Sequence, residues 1–213
     1  PPPPPPPPPP FFFTQKRASA ILSGLVGSEM CIRDSVSDDK KIFLYSTDGI
    51  GFINDMQNKN FNLNKKNILI IGAGAAAESV LYRLAKNEAN HITVLNRTED
   101  RANRLARKFS NMTSINTELN SQAPYDLIIN GSSAGLTGGF KPIENILIDE
   151  CTHFYDLNYS LTQTPFCKWA KEKSEHVDDG IGMLVYQAAH SFEKWFKVFP
   201  ETVRHSPCSS FAL

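Results

Sequence analysis

One stretch constrains this chain more than any other: Asn67-Ile-Leu-Ile-Ile-Gly-Ala-Gly-Ala-Ala-Ala-Glu78. The apolar run Ile68 to Ile71 has the length and β-branching of a buried parallel strand. Gly72-Ala73-Gly74 ends it, and a run of good helix formers, Ala75 through Lys86, follows at once. Strand, tight glycine turn and helix in that order form the first half of a dinucleotide-binding βαβ unit. Gly72 allows the turn, and Gly74 lets the backbone approach a pyrophosphate. Ala77 stands where a small side chain keeps helix and sheet close. The first amides of the helix have no internal partner, and the helix dipole favours negative charge there. A glycine motif alone also describes an ordinary strand-to-helix turn, and it is the flanking strand and helix that favour the binding reading.

A second strand, His91 to Leu95, ends at Asn96-Arg97-Thr98. At this distance from the first glycine, an NAD-binding unit usually offers an acid to the ribose 2′-hydroxyl. This chain offers Arg97, with Arg101 one helical turn further on. Two guanidinium groups and the Thr98 hydroxyl suit a 2′-phosphate, so NADP is the expected cofactor. The competing reading places both arginines on a solvated helix face with Arg104 and Lys108.

Further along, strands are expected at Tyr125–Asn130 and His153–Leu157, with a weaker one near Met112–Ile115. The small-residue loop Gly131–Gly135 follows the first of these, at the strand end where open α/β sheets bind ligands. Helices are expected over Ala75–Asn87, Arg101–Phe109, Thr164–Lys173 and Met183–Phe196. A short strand from Lys41 to Tyr45 precedes Ser46-Thr47-Asp48-Gly49, which offers capping chemistry to a helix bearing Ile50, Phe52, Ile53 and Met56. This alternation predicts an α/β fold with a doubly wound parallel sheet, a Rossmann-like NADP-binding domain.

Lysine plus arginine and aspartate plus glutamate both total 22 in the 213 residues, which leaves no electrostatic footprint for nucleic acid or an anionic membrane. Cys31, Cys151, Cys167 and Cys208 form no CxxC pair and no metal-ligand spacing with histidine, so they read as reduced thiols of a cytoplasmic protein. No apolar run is long enough to cross a bilayer. Pro1–Pro10 and Phe11–Phe13 are successive homopolymers, and a back-translation of Met30–Asp34 resembles a transposon end used in sequencing libraries. Residues 1–35 are therefore expected to be an artefactual leader outside any sheet. Residues 36–60 read as a remnant of a substrate domain with an inter-domain helix, 61–200 as the NADP-binding domain, and 201–213 as an irregular tail.

With these stretches placed, the chain resembles the shikimate dehydrogenase family over about Lys41 to Pro200. Four motifs carry the likeness: Ser46-Thr-Asp-Gly-Ile-Gly-Phe52; Gly72-Ala-Gly-Ala-Ala-Ala77 with Asn96-Arg-Thr98; Asp126-Leu-Ile-Ile-Asn130 with its Gly-Ser-Ser loop; and Asp179-Gly-Ile-Gly-Met-Leu-Val-Tyr-Gln-Ala-Ala-His190. The resemblance implies reversible NADPH-dependent reduction of 3-dehydroshikimate to shikimate, in aromatic amino acid biosynthesis, without metal. It makes Asp48 a catalytic and substrate-hydroxyl ligand, with Tyr159 and Gln187 as further substrate ligands. Gly72, Ala73, Gly74, Ala75 and Ala76 match the pyrophosphate loop, and Asn96, Arg97, Thr98 and Arg101 the 2′-phosphate clamp. Ser132, Ser133, Leu157 and Gly180 fall near the nicotinamide.

The family's catalytic lysine and serine-bearing carboxylate clamp lie in an N-terminal domain, before the strand that here begins near Lys41. Lys16, Lys40 and Lys41 have no matching context. Most of the substrate-binding α/β domain is therefore expected to be missing, and the chain inactive as it stands. The partners expected are a small-molecule substrate and, at most, a second copy in a homodimer. Two other readings stay open: a non-catalytic NADP-binding regulatory module, and an NAD-using quinate/shikimate dehydrogenase.

Overall fold

A computed structural model describes residues 32–36, 42–86, 91–119, 122–134 and 139–202. Two strands open it, β1 (Ile32–Val36) and β2 (Ile42–Ser46), followed by helix α1 (Asp48–Asn58). The dinucleotide-type unit comes next as β3 (Asn67–Ile71), α2 (Ala75–Lys86) and β4 (His91–Leu95). Then come α3 (Glu99–Lys108), β5 (Ile115–Asn116), β6 (Leu127–Asn130), β7 (His153–Asp156), α4 (Pro165–Lys171), β8 (Val177–Asp178) and α5 (Ile181–Phe196).

Strands β3 to β8 form one sheet in the order β5-β4-β3-β6-β7-β8, and every neighbouring pair is parallel. The order reverses between β3 and β6, and a crevice opens at the carboxyl ends of strands at such a switch point. Side chains alternate across a strand, so one sheet buries two cores. Ile68, Ile70, Leu127 and Ile129 join the core that contains Phe52, Val80, Leu81 and Met183. Leu69 and Ile128 face the other way, against Phe154, Phe166 and Ala170. Covering both faces is what makes β3 and β6 continuous apolar runs.

Local chemistry sets the helices. In α2, Ala77, Val80, Leu81, Leu84 and Ala85 are buried, the stripe that a 3.6-residue period requires. Thr164 caps α4 by accepting a hydrogen bond from the Cys167 amide at 3.1 Å, and Pro165 follows in the first turn.

Three expectations need correction. Residues up to about Ser35 were to stay outside any sheet, yet Ile32–Ser35 pair antiparallel with β2, Ile32 opposite Ser46 and Val36 opposite Ile42. Strand pairing uses backbone groups that every non-proline residue carries, so composition could not exclude it. The weak strand near Met112–Ile115 lies further on, at Ile115–Asn116. Of the capping stretch Ser46–Gly49, Thr47 holds the N-cap position of α1 but makes no side-chain capping bond, and Asp48 belongs to the first turn. Pro1–Cys31, Lys40, Lys41, Asn87, Gly135 and 203–213 lie outside the described residues.

Candidate nucleotide crevice and its polar frame

Gly72 sits at φ +106°, a conformation that favours glycine. Its amide donates to the Leu95 carbonyl at 2.7 Å, and the Gly131 amide donates to the Ile71 carbonyl at 2.7 Å. The loops after β3 and β6 therefore touch backbone to backbone: a Cβ on Gly72 would lie 2.8 Å from the Gly131 carbonyl carbon and 2.9 Å from the Ser132 nitrogen. Gly131 itself faces Ala77, whose Cβ would stand 2.9 Å from an added one. The small third-position residue does set this approach. A Cβ on Gly74 would meet nothing within 4 Å, so the space beside Gly74 just before α2 is open.

Asn96 joins the two halves of the βαβ unit. Its Oδ1 accepts from the Ala73 amide at 3.2 Å, and its Nδ2 donates to the Thr98 carbonyl at 2.9 Å. The Ala73 amide is thus engaged by the protein. Those of Ala75, Ala76 and Ala77 open α2, whose first helical bond runs from the Glu78 amide to the Gly74 carbonyl at 2.9 Å. Arg97, Thr98 and Arg101 are all exposed at the start of α3.

The residues expected near the nicotinamide gather beyond β6 and β7. Leu157 is half-buried, and its amide donates to the Asn130 carbonyl at 2.8 Å. Ser132 donates from both its amide and its hydroxyl to Asn130 Oδ1, at 3.1 and 2.8 Å, while Ser133 is exposed. Gly180 is buried, and its amide donates to the Asn158 carbonyl at 3.0 Å; a Cβ there would strike the Leu157 carbonyl oxygen. Gly72, Gly131, Leu157 and Gly180 make one continuous rim along the carboxyl edge of the sheet.

The proposed substrate ligands are less uniform. Tyr159 is 50% exposed, Gln187 only 6% and Asp48 1%. Asp48 and Gln187 lie on α1 and α5, which cross so closely that a Cβ on Gly51 would stand 2.7 Å from the Met183 carbonyl and 2.9 Å from the Gln187 nitrogen. The Ser191 hydroxyl donates to the Gln187 carbonyl at 2.8 Å and lies 3.2 Å from Thr47 Oγ1.

Sequence profiles of two families match: "Shikimate / quinate 5-dehydrogenase" over residues 55–136, and "Shikimate 5'-dehydrogenase C-terminal domain" over residues 180–198. Among similar proteins, the shikimate dehydrogenase (NADP(+)) of Colwellia psychrerythraea is 41% identical over 164 residues, 76% of this chain and 60% of that one. That of Cellvibrio japonicus is 36% identical over 162 residues, 74% and 59% respectively. The chain belongs to the shikimate dehydrogenase family. It spans about three fifths of the length of these relatives. Of solved structures, the shikimate dehydrogenase of Aquifex aeolicus superposes with a TM-score of 0.68 at 30% identity, covering 79% of this chain and 62% of that one. The Thermus thermophilus enzyme, in complex with NADP(H) and shikimate, gives 0.66 at 29% identity, covering 76% and 61%.

Two polar clusters behind the rim escaped the sequence reading. Asp156, 1% exposed, is the first hub. Its Oδ1 accepts from Asn130 Nδ2 at 2.9 Å and from the Asn158 amide and Nδ2 at 3.1 and 2.9 Å; its Oδ2 accepts from the Thr164 hydroxyl at 2.6 Å. Asn158 also donates to the Ser132 carbonyl at 2.9 Å. Burial raises the Asp156 pKa, and these hydrogen bonds only partly offset it.

The second cluster joins α1 to β7 and β8. The Tyr155 hydroxyl donates to Asp55 Oδ2 at 2.7 Å. Lys59 Nζ lies 3.6 Å from Asp55 Oδ1 and 3.1 Å from Asp178 Oδ1, and His153 Nε2 is 2.7 Å from Asp178 Oδ2. Burial raises the Asp55 carboxyl and pushes the Tyr155 hydroxyl well up. The only sequence signal was an acid among the apolar positions of α1, which does not name a partner.

Proposed function

We propose that this chain carries the cofactor-binding half and one wall of the substrate site of an NADP-dependent shikimate dehydrogenase, acting reversibly on 3-dehydroshikimate and shikimate. The observation behind this is the room above Gly74, beside a glycine rim that Asn96 ties to the Arg97–Thr98 turn. A side chain at Gly72 would be strained, and at Gly74 only open space lies beyond. These residues fit a dinucleotide pyrophosphate at the helix start, with two exposed guanidinium groups set for a 2′-phosphate.

Bound nicotinamide cofactor supplies hydride to the ketone carbon of the substrate. The protein's part is orientation. Arg97 and Arg101 hold the adenosine end by charge-assisted hydrogen bonds. Leu157 and Gly180 shape the apolar floor at the other end, while Tyr159 and Gln187 orient substrate hydroxyls. Asp48, buried at the start of α1, fixes the hydroxyl beside the reacting carbon. The resemblance assigns none of this chain's lysines the general-acid role, which is typically worth about 10²–10⁴-fold. A polypeptide confined to these 213 residues should therefore bind NADPH without turning over 3-dehydroshikimate. The free thiols Cys151 and Cys167 fit a cytoplasmic enzyme.

The test pairs NADPH titration, followed by fluorescence, with NADPH consumption in the presence of 3-dehydroshikimate. Failure to bind NADPH would remove the proposal. Substrate-dependent oxidation by this polypeptide would retain the activity and overturn the reading that none of its lysines serves as the general acid.

A further inference from the structure

Asp55 lies on α1 about two turns beyond Asp48, and its carboxylate reaches the start of α5. A Cβ on Gly182 would run directly into that carboxylate, so Asp55 fills the space a side chain at Gly182 would need. Two side chains hold it there. The Tyr155 hydroxyl donates from β7 at 2.7 Å, and Lys59 Nζ, at the end of α1, lies 3.6 Å from its Oδ1. Lys59 carries the link to Asp178 at the end of β8, two residues before Gly180. The Tyr155 ring is itself fixed edge-on to Phe52, with centroids 5.0 Å apart at 84°.

From this geometry we propose that Asp55 is a positioning residue: seated against Gly182, it fixes the first turn of α5 and so holds Gly180 against Leu157 in the rim. The inference rests on the proposed dinucleotide site. A ligand laid along the rim has its adenosine end beside Asn96 and Arg97, on the β4 side of the switch point, and its second nucleotide beside Leu157 and Gly180, on the β7 side. Asp55 therefore acts on one end of the ligand only. A residue serving general stability would affect both ends together.

The experiment uses the full chain and two probes, NADPH and adenosine 2′,5′-bisphosphate, which lacks the nicotinamide end. In D55A and in G182A, NADPH affinity should fall about fivefold or more while adenosine 2′,5′-bisphosphate affinity stays within about twofold, as expected when only positioning at one end is lost. Both changes disturb one contact, so the D55A/G182A double variant should lose no more than the worse single variant. D55N keeps the side-chain volume and an acceptor for Tyr155, and should recover most of the loss. Proportional loss of both probes, unchanged NADPH binding, or additive losses in the double variant would each overturn the role. If D55A does not fold, G182A decides by the same split between probes. A wild-type chain that binds neither probe would instead overturn the proposed site itself, an outcome distinct from all of these.

Discussion

Gly72 and Gly131 meet backbone to backbone, with only 2.8 Å between the Gly131 carbonyl carbon and the place a Gly72 Cβ would occupy. The contact closes β3 against β6 at the point where the strand order reverses. It also requires φ +106° at Gly72. G72A should therefore destabilise the chain by about 1–3 kcal/mol from backbone strain alone, with the steric overlap added. Urea unfolding measures this directly. A variant as stable as wild type would mean that the loop relaxes without cost.

Cofactor choice should reside in Arg97 and Arg101. Hydrogen bonds to charged groups are worth about 1.5–3 kcal/mol each, so the R97A/R101A variant should bind NADPH about tenfold or more weakly. Binding of NADH should change little. Titration with both cofactors distinguishes a 2′-phosphate clamp from arginines that merely cover a solvated helix face, for which neither affinity would move.

Asp156 should be among the costliest polar residues to truncate. D156A would strip the acceptor from Asn130, Asn158 and Thr164 together, in a site 1% exposed. Each buried group left unsatisfied costs about 1–3 kcal/mol. T164A removes one of these bonds and the cap of α4, so it should cost less than D156A. Equal stability of D156A and wild type would show that water replaces the carboxylate freely.

The Lys59–Asp178–His153 cluster predicts a pH dependence with two limbs. For Asp178, burial raises the carboxyl, but the His153 hydrogen bond and the Lys59 charge outweigh it and leave it below the ordinary value. Such a group stabilises the fold above its unfolded pKa of about 3.9 and loses that contribution as pH falls through the lower folded value. For Lys59, burial works downward, but Asp178 and Asp55 together raise it. Its contribution is complete below about 10.4 and is lost as pH rises through the higher folded value. D178N should flatten the acid limb and weaken the alkaline one in stability measured from pH 3 to 11, a range chosen to bracket both values. Curves for variant and wild type that run parallel throughout would refute the assignment.

The sequence alone determined what is encoded within a dozen residues. The β3–glycine–α2 unit was legible because strand length, turn glycine and helix propensity are local properties of consecutive residues. The unbroken apolar run Ile68 to Ile71 likewise announced a strand buried on both faces. Arg97 and Arg101 could be read together because they lie four positions apart, although α3 begins only at Glu99. Tertiary structure alone decided which polar residues meet. Tyr155 and Asp55 are 100 positions apart, and Asn54 and His190, 2.8 Å between Nδ2 and Nε2, are 136 apart. Nothing in the composition of α1 singles out Asp55 from a solvent-facing acid until β7 and α5 are packed against it. The same holds for the burial of Asp48, which the crossing of α1 with α5 decides, and for Ile32–Val36, whose pairing with β2 depends on where another segment passes. Propensity and periodicity record what a residue prefers for itself; a hydrogen bond across the fold depends on the place where the chain has carried its partner.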